Sequence, residues 1–383
     1  MINKERLKNL LLDLVQIDSH SREEREVAER VINELKSVDS SIDITVDDAG
    51  QKVGGNTGNV IARIKGTNPN AKPILLSAHM DTVVPGKGVK PIIDGNIIRT
   101  DGTTVLGGDD KSGVAIILET IRALKENKLE HSDIEAVFTI CEEVGLQGAK
   151  HVDVTKLRSK FGLVLDSDDV GYLFTKAPSS DNLEFRVYGL EAHAGVCPER
   201  GLSAIKIAGE AISNMKLGRI DEETTANLGV IEGGMATNIV PNFVRIKGEA
   251  RSHSDAKLDA QVAHMKKCFE DAVANYSVTI DGKEIRPRFE VDVVRSYHSM
   301  NVSDESHIVR LVKQAANNLQ QEVKTLATGG GCDANVFNRK GIEVANLGTG
   351  MQDIHTVKEW LNVEDLYLSG QMVFEIVRLN AHG

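Results

Sequence analysis

A net charge of −11 over 383 residues argues against a nucleic-acid partner, because binding phosphate needs clustered lysine and arginine. An apolar share of 41% is ample for a large core, although aromatics supply only 4%, so Val, Ile, Leu and Ala must fill it. At ~100–200 residues per domain, two domains are expected.

The amino-terminal stretch MINKERLKNLLLDLVQID carries charges at helical spacing, and no small-residue cleavage site follows, so it is not read as an export signal. No run reaches the roughly 18 consecutive apolar residues of a membrane span, so no membrane partner is expected. Cys141, Cys197, Cys268 and Cys332 are scattered without a CxxC pair, which fits reduced thiols and a cytoplasmic location. Cys141 adjoins the Glu142–Glu143 pair and Cys332 sits in a Gly-rich loop, but a packed small thiol is the commoner role for such a cysteine.

Two helices are expected first. Leu7, Leu10, Leu11, Leu14 and Val15 form one apolar stripe, and Ser21 with Glu24 reads as a capping box ahead of Val27, Val31, Ile32 and Leu35. Strands and helices then alternate. Residues 59–64, 73–78, 134–140 and 161–165 read as strands, the second as a continuous apolar run typical of a buried one, and 112–124 as a helix. That order implies an α/β fold, with a mixed, mostly parallel sheet flanked by helices.

The pattern changes near Pro178. Residues 183–188 alternate apolar and polar, as in a sheet wetted on one face. A helix over 203–215, strands over 226–231 and 244–250, a charged helix over 254–275 and a strand over 286–294 complete an α+β module of two helices and about four strands. Beyond Ser299 the α/β style returns, with a helix over 306–319, a Gly-rich loop, a strand over 343–347 and a last helix over 363–379. The expectation is a discontinuous catalytic domain, 1–178 and 299–383, with an inserted domain at 179–298.

The residues that carry chemistry stand at strand ends, where sites in open α/β sheets gather. His79 and Asp81 follow one strand, and Glu142 and Glu143 another. Asp166 follows a third, His355 lies beyond the strand at 343–347, and Asp109 precedes a helix. Any one of these short patterns is most often a solvated turn. Together, and in order, they point to metal: imidazole and carboxylate are the usual zinc ligands where thiolates are absent. A carboxylate has two oxygens, so Asp109 is the candidate for bridging two metals. Asp81 sits two residues from His79 on the same face of an extended segment, where it could accept the proton on the second ring nitrogen. Of the adjacent Glu142 and Glu143, one can hold metal while the other faces substrate.

Ser77-Ala-His-Met-Asp-Thr82, Leu106-Gly-Gly-Asp-Asp-Lys-Ser-Gly113, Cys141-Glu-Glu-Val-Gly145 and Asp166 resemble the co-catalytic zinc peptidases that include peptidase T, carboxypeptidase G2 and aminoacylase. The likeness is closest to peptidase-T-like proteins and runs essentially the whole chain. The segment Gly348-Thr-Gly-Met-Gln-Asp-Ile-His355 departs from the tyrosine-rich sequence of peptidase T proper.

The resemblance implies two zinc ions, with cobalt or manganese as substitutes. One would be held by His79, Asp109 and Asp166, the other by Asp109, Glu143 and His355. Glu142 would be the general base for an attacking water, and Asp81 would orient His79. The inserted module would be a lid that also forms a homodimer interface. Within it, His193, in Gly189-Leu-Glu-Ala-His-Ala-Gly195, would meet the scissile carbonyl. Asn238 would contact substrate, and Arg251 would bind a peptide carboxylate. Without the resemblance these three would read as a turn cap, a turn residue and a solvated strand residue. The activity implied is hydrolysis of short peptides by an aminopeptidase of tripeptidase type. Its rivals are an amidohydrolase acting on N-acyl amino acids and a non-catalytic metal- or peptide-binding protein.

Overall fold

A computed structural model describes residues 1–382, which divide into two compact units. The first comprises Met1–Lys176, Met300–Thr328 and the described residues from Cys332 onward; the second comprises Ala177–Ser299 and Gly329–Gly331.

The first unit is built on a nine-stranded sheet. Its centre runs in the order Ile134–Thr139, Ile74–His79, Phe161–Ser167, Glu343–Gly348, and neighbouring strands there are parallel. The apolar runs that marked these strands are buried on both faces, as a sheet covered by helices requires. On one flank the pairing reverses. Val60–Ile64 lies antiparallel to Ile134–Thr139, with Asp43–Val46 antiparallel beyond it. Helix Gly108–Glu126 presents Val114, Ile117, Leu118 and Ile121 to the core, each worth roughly 1.5–3 kcal/mol of burial. Its backbone is non-helical at Asp109 and Asp110, so the regular helix begins beyond them.

A small antiparallel sheet places the last site element. Met351–Gln352 pairs with Trp360–Asn362, which pairs with Ile97–Arg99, and that strand pairs with Ile92–Asp94. His355 therefore stands in a hairpin loop, at a positive φ of 62°.

The capping box expected from Ser21 and Glu24 does not form. The helix spans Arg25–Val38 and its cap makes no side-chain bond. Ser21 Oγ instead donates to Asp81 Oδ2 at 2.6 Å, and Glu24 Oε1 accepts the main-chain N–H groups of Arg22 and Cys141. Longer-range partners near the site claimed both side chains.

The second unit is a five-stranded antiparallel sheet in the order Gly218–Arg219, Thr224–Gly233, Phe243–Ser252, Ser179–Tyr188, Arg288–Tyr297. Helices Ala204–Ser213 and Asp255–Ala274 pack on one face around Phe185, Val187, Ile207, Leu258 and Phe269. The Phe185 and Phe269 rings stack with centroids 4.5 Å apart. On Ser179–Tyr188 the apolar alternation read from 183–188 sets Leu183, Phe185 and Val187 inward. The opposite face is polar, with Arg186 bound to Glu184 at 2.6 Å and to Asp292 at 2.7 Å.

Candidate metal centre

The parallel strands deliver His79, Asp166 and the Glu142–Glu143 turn to the carboxyl edge of one sheet, and the start of the long helix delivers Asp109. Asp109 reaches both ways. Its Oδ1 lies 3.0 Å from His79 Nε2, and its Oδ2 lies 3.0 Å from His355 Nε2. On the first side Asp166 Oδ1 stands 3.8 Å from His79 Nε2; on the second, Glu143 Oε1 stands 3.0 Å from His355 Nε2. Two groups of residues offer converging ligand atoms, His79 with Asp110 and Asp166, and His79 with Asp109 and Glu143.

The donor set fits cations. His79 Nδ1 lies 2.9 Å from the Asp81 carbonyl, which can only accept, so Nδ1 carries the ring proton. In the neutral ring Nε2 would turn a lone pair toward two carboxylates, so with no cation between them the ring takes up a second proton, which Asp109 Oδ1 at 3.0 Å accepts. His355 Nε2 faces two carboxylate oxygens with at most one proton to give. Buried Glu143 Oε1 competes with Asp109 Oδ2 for that one proton. A divalent ion on each side of Asp109 would resolve both.

The electrostatics agree. Burial pushes the Asp166 and Glu142 carboxyls well above the ordinary carboxylate range, and neighbouring carboxylates push them further. Burial also raises Glu143. Burial alone would lower His79, but contacts with Asp109 and Asp81 outweigh it and hold the ring well above its usual value. His355 is pushed up to about 10 by its hydrogen bonds to Asp109 and Glu143. Carboxyls crowded in a dry pocket take up protons unless cations balance their charge.

Asp81 meets His79 with its main chain as well as its side chain. Its main-chain carbonyl, not its carboxylate, is the nearer partner of His79 Nδ1; the carboxylate Oδ1 is 3.4 Å away. The carboxylate accepts the main-chain N–H of Glu142 at 2.9 Å and of Glu143 at 3.2 Å, besides the Ser21 hydroxyl. Cys141, at a positive φ of 52°, turns the chain out of its strand into that pair, and its buried thiol donates to Glu24.

Several supporting residues escaped the sequence. Asp110 accepts the N–H of His79 at 3.1 Å and of Gly113 at 3.1 Å, tying strand end to helix start. Asn346 grips the backbone of Asp166 on both sides, at 2.9 and 2.6 Å. Buried Lys111 donates to the Ile17 carbonyl at 2.7 Å. Asp110 and Lys111 sit inside a quoted motif, so their position was the only available signal. Asn346 carries none, because its partner is distant in sequence.

The substrate candidates lie in the second unit. His193 and Asn238 come together: the segment at His193 bridges Ile239, and Ala194 N–H donates to the Asn238 carbonyl at 2.9 Å. Both side chains are exposed. Arg251, on strand Phe243–Ser252, binds Glu249 at 2.9 Å and the Gly329 carbonyl at 3.2 Å, and its Nε is buried without a bond.

A mostly parallel sheet whose carboxyl edge gathers side chains able to hold metal, with Asp109 between His79 and His355, defines a candidate dinuclear metal hydrolase. Comparison with known proteins then identifies the family. A sequence model of peptidase family M20/M25/M40 matches residues 75–378, and the chain belongs to that family and is a peptidase. The uncharacterized protein YqjE of Bacillus subtilis is 42% identical over 378 residues, spanning 98% of this chain and 99% of its own. The crystal structure of aminopeptidase PepT from Bacillus cereus matches with a TM-score of 0.90 at 40% identity, covering 100% of both chains. That of a tripeptidase from Staphylococcus aureus matches at 0.93 and 37%, also over 100% of both. No described helix is long and apolar enough to cross a membrane.

Proposed function

We propose that the protein is a two-zinc aminopeptidase that removes the amino-terminal residue of short peptides, with tripeptides as the leading substrate class. The observation that carries this reading is the splayed carboxylate of Asp109, with one oxygen on His79 and the other on His355. The descriptions of the two similar structures, an aminopeptidase and a tripeptidase, support the substrate class.

His79, Asp109 and Asp166 would hold one ion, and Asp109, Glu143 and His355 the other. Bound there, the ions would supply Lewis acidity and lower the pKa of water toward neutrality. Glu142 is the base that takes the proton of the attacking water and returns it to the leaving amine. Its buried carboxyl has the raised affinity for protons that this shuttle needs. Asp81 holds the Glu142 backbone and so fixes where that carboxyl starts. His193 donates to the developing oxyanion, Asn238 contacts the substrate, and Arg251 pairs with its terminal carboxylate.

We also assign a homodimer to the inserted unit. Strand Thr224–Gly233 is paired on its outer side by Gly218–Arg219 only at Thr225 and Ala226. Farther along, Val230 and Ile231 are 44% and 60% exposed, a hydrophobic edge suited to a second copy. Ile231→Lys should leave a monomer by analytical ultracentrifugation.

The test of activity is a panel of dipeptides, tripeptides and N-acylated amino acids, assayed on chelator-stripped protein with and without added zinc. Zinc-dependent release of the amino-terminal residue from tripeptides is expected. Cleavage of the N-acyl substrates alone would replace the peptidase reading. Arg251→Ala should weaken binding of peptides with a free carboxyl terminus, and unchanged kinetics would remove it from the site.

A further inference from the structure

The hairpin that carries His355 also carries a buried carboxylate that touches neither histidine. Glu359 is 2% exposed. Its Oε1 accepts the main-chain N–H of Asp109 at 3.0 Å, and its Oε2 accepts that of Gly107 at 2.8 Å. These amides lie in the non-helical segment just ahead of the regular helix, and Gly107 has no side chain to satisfy them. A buried main-chain amide outside regular structure needs an acceptor, commonly a side chain near in sequence. Here the acceptor comes from 250 residues away.

We propose that Glu359 is the positioning residue for the shared aspartate, setting the distance between Asp109 and His355 so that both ions can be held; this rests on the two-ion reading above. Three features carry it. Both carboxylate oxygens are spent on the backbone on either side of Gly108, so the clamp fixes Asp109 in position and orientation. Position 108 is a glycine where a Cβ would stand 3.1 Å from Glu359 Oε1, so any side chain there would press on the carboxylate. Finally, Glu359 is anchored next to His355: its N–H closes a turn on the Thr356 carbonyl at 3.1 Å, and strand Trp360–Asn362 follows directly. The two halves of the His355–Asp109 pair therefore belong to segments joined by one carboxylate. A ligand set must be held to about 0.5 Å, which a loop histidine alone does not ensure.

Only a carboxylate suits two converging N–H donors. In Glu359→Gln one oxygen becomes an NH₂ group, which must face an N–H. A control exists at the opposite end of the sheet. Glu135, also 2% exposed, accepts the main-chain N–H groups of Arg158 and Ser159 at 3.0 and 2.8 Å. Its loss has the same structural character without the link to Asp109.

The experiment has two readouts on full-length, chelator-stripped protein. Amide hydrogen exchange reports the clamp, and zinc titration by calorimetry reports its consequence. In Glu359→Gln, exchange at Gly107 and Asp109 should speed at least tenfold. Zinc should bind about 10–100-fold more weakly, the usual effect of losing a group that orients a ligand. Glu135→Gln should lower the melting temperature but keep wild-type zinc affinity. Unchanged exchange at Gly107 and Asp109 overturns the clamp. Faster exchange with unchanged zinc affinity, or an equal loss in Glu135→Gln, reduces it to a structural contact. If wild-type protein takes up no zinc, the two-ion reading fails and the positioning role fails with it, whatever the exchange shows. Should Glu359→Gln not fold, Glu359→Asp keeps the charge but cannot span both amides, and the same readouts and limits apply.

Discussion

The Asp81 carboxylate accepts the main-chain N–H of Glu142 at 2.9 Å, although the two residues lie 61 positions apart. The end of one strand thus sets the backbone of the turn that follows its neighbour, and the candidate base inherits its place from a residue that was expected to serve His79.

Asp81→Ala should therefore damage catalysis through Glu142 as well as through the histidine. Two N–H groups would lose their acceptor, at roughly 1–3 kcal/mol each if they stay buried. A fall in kcat of about 10–100-fold is expected, with a smaller change in KM. An effect on zinc affinity alone, with kcat intact at saturating zinc, would return Asp81 to the role of a simple histidine orienter.

Glu142 and Glu143 should separate cleanly. Glu142→Gln should lower kcat by roughly 10²–10⁴-fold while zinc uptake stays at the wild-type level. Glu143→Gln should lose zinc on the His355 side. Metal analysis beside steady-state kinetics decides, and the opposite pattern would exchange their roles.

Gly113→Ala should pull the site apart from below. A Cβ there would stand 2.2 Å from the Leu165 carbonyl, which is backbone and cannot swing aside. The helix must lift from strand Phe161–Ser167, moving Asp109 away from Asp166. Overpacking of this kind costs about 1–3 kcal/mol. A lower melting temperature and weaker zinc binding should appear together. A stability loss with zinc affinity preserved would show that the ligands adjust independently of the helix.

Asp333 gives a pH signature in metal-free protein. Burial pushes its carboxyl from 3.8 up to about 6, against a bond from Thr139. The folded state holds this proton more tightly than the unfolded state does. Stability is therefore lost as pH rises from 3.8 through 6, and the deficit is complete above that. Asp333→Asn should match wild type near pH 4 and exceed it at pH 8 by about 1–3 kcal/mol. Chemical denaturation at the two pH values checks this; an equal gain at both would remove the titration as the cause.

Much of the architecture was legible because the signals are local. The apolar runs at 73–78, 134–140 and 161–165 mark buried strands, and the ligand residue types stand at their ends, so the parallel centre and the cluster of His79, Asp109, Glu143, Asp166 and His355 could be read together. The antiparallel flank, the short strands at 92–99 and 351–362 and the fate of Ser21 and Glu24 could not. Two-residue strands carry no periodicity, and a polar side chain near a helix start bonds wherever the folded chain offers a better donor.

Residue type and spacing determined by themselves which groups could bind metal, and that Asp109 could serve two ions. Only the tertiary structure decided what holds those groups in place. Asp81 supports Glu142 and Glu143, Asn346 supports Asp166, and Glu359 supports Asp109, all through main-chain amides or carbonyls. Every residue but proline offers the same N–H and C=O, so a backbone partner leaves no mark in the sequence and is fixed only when distant segments pack.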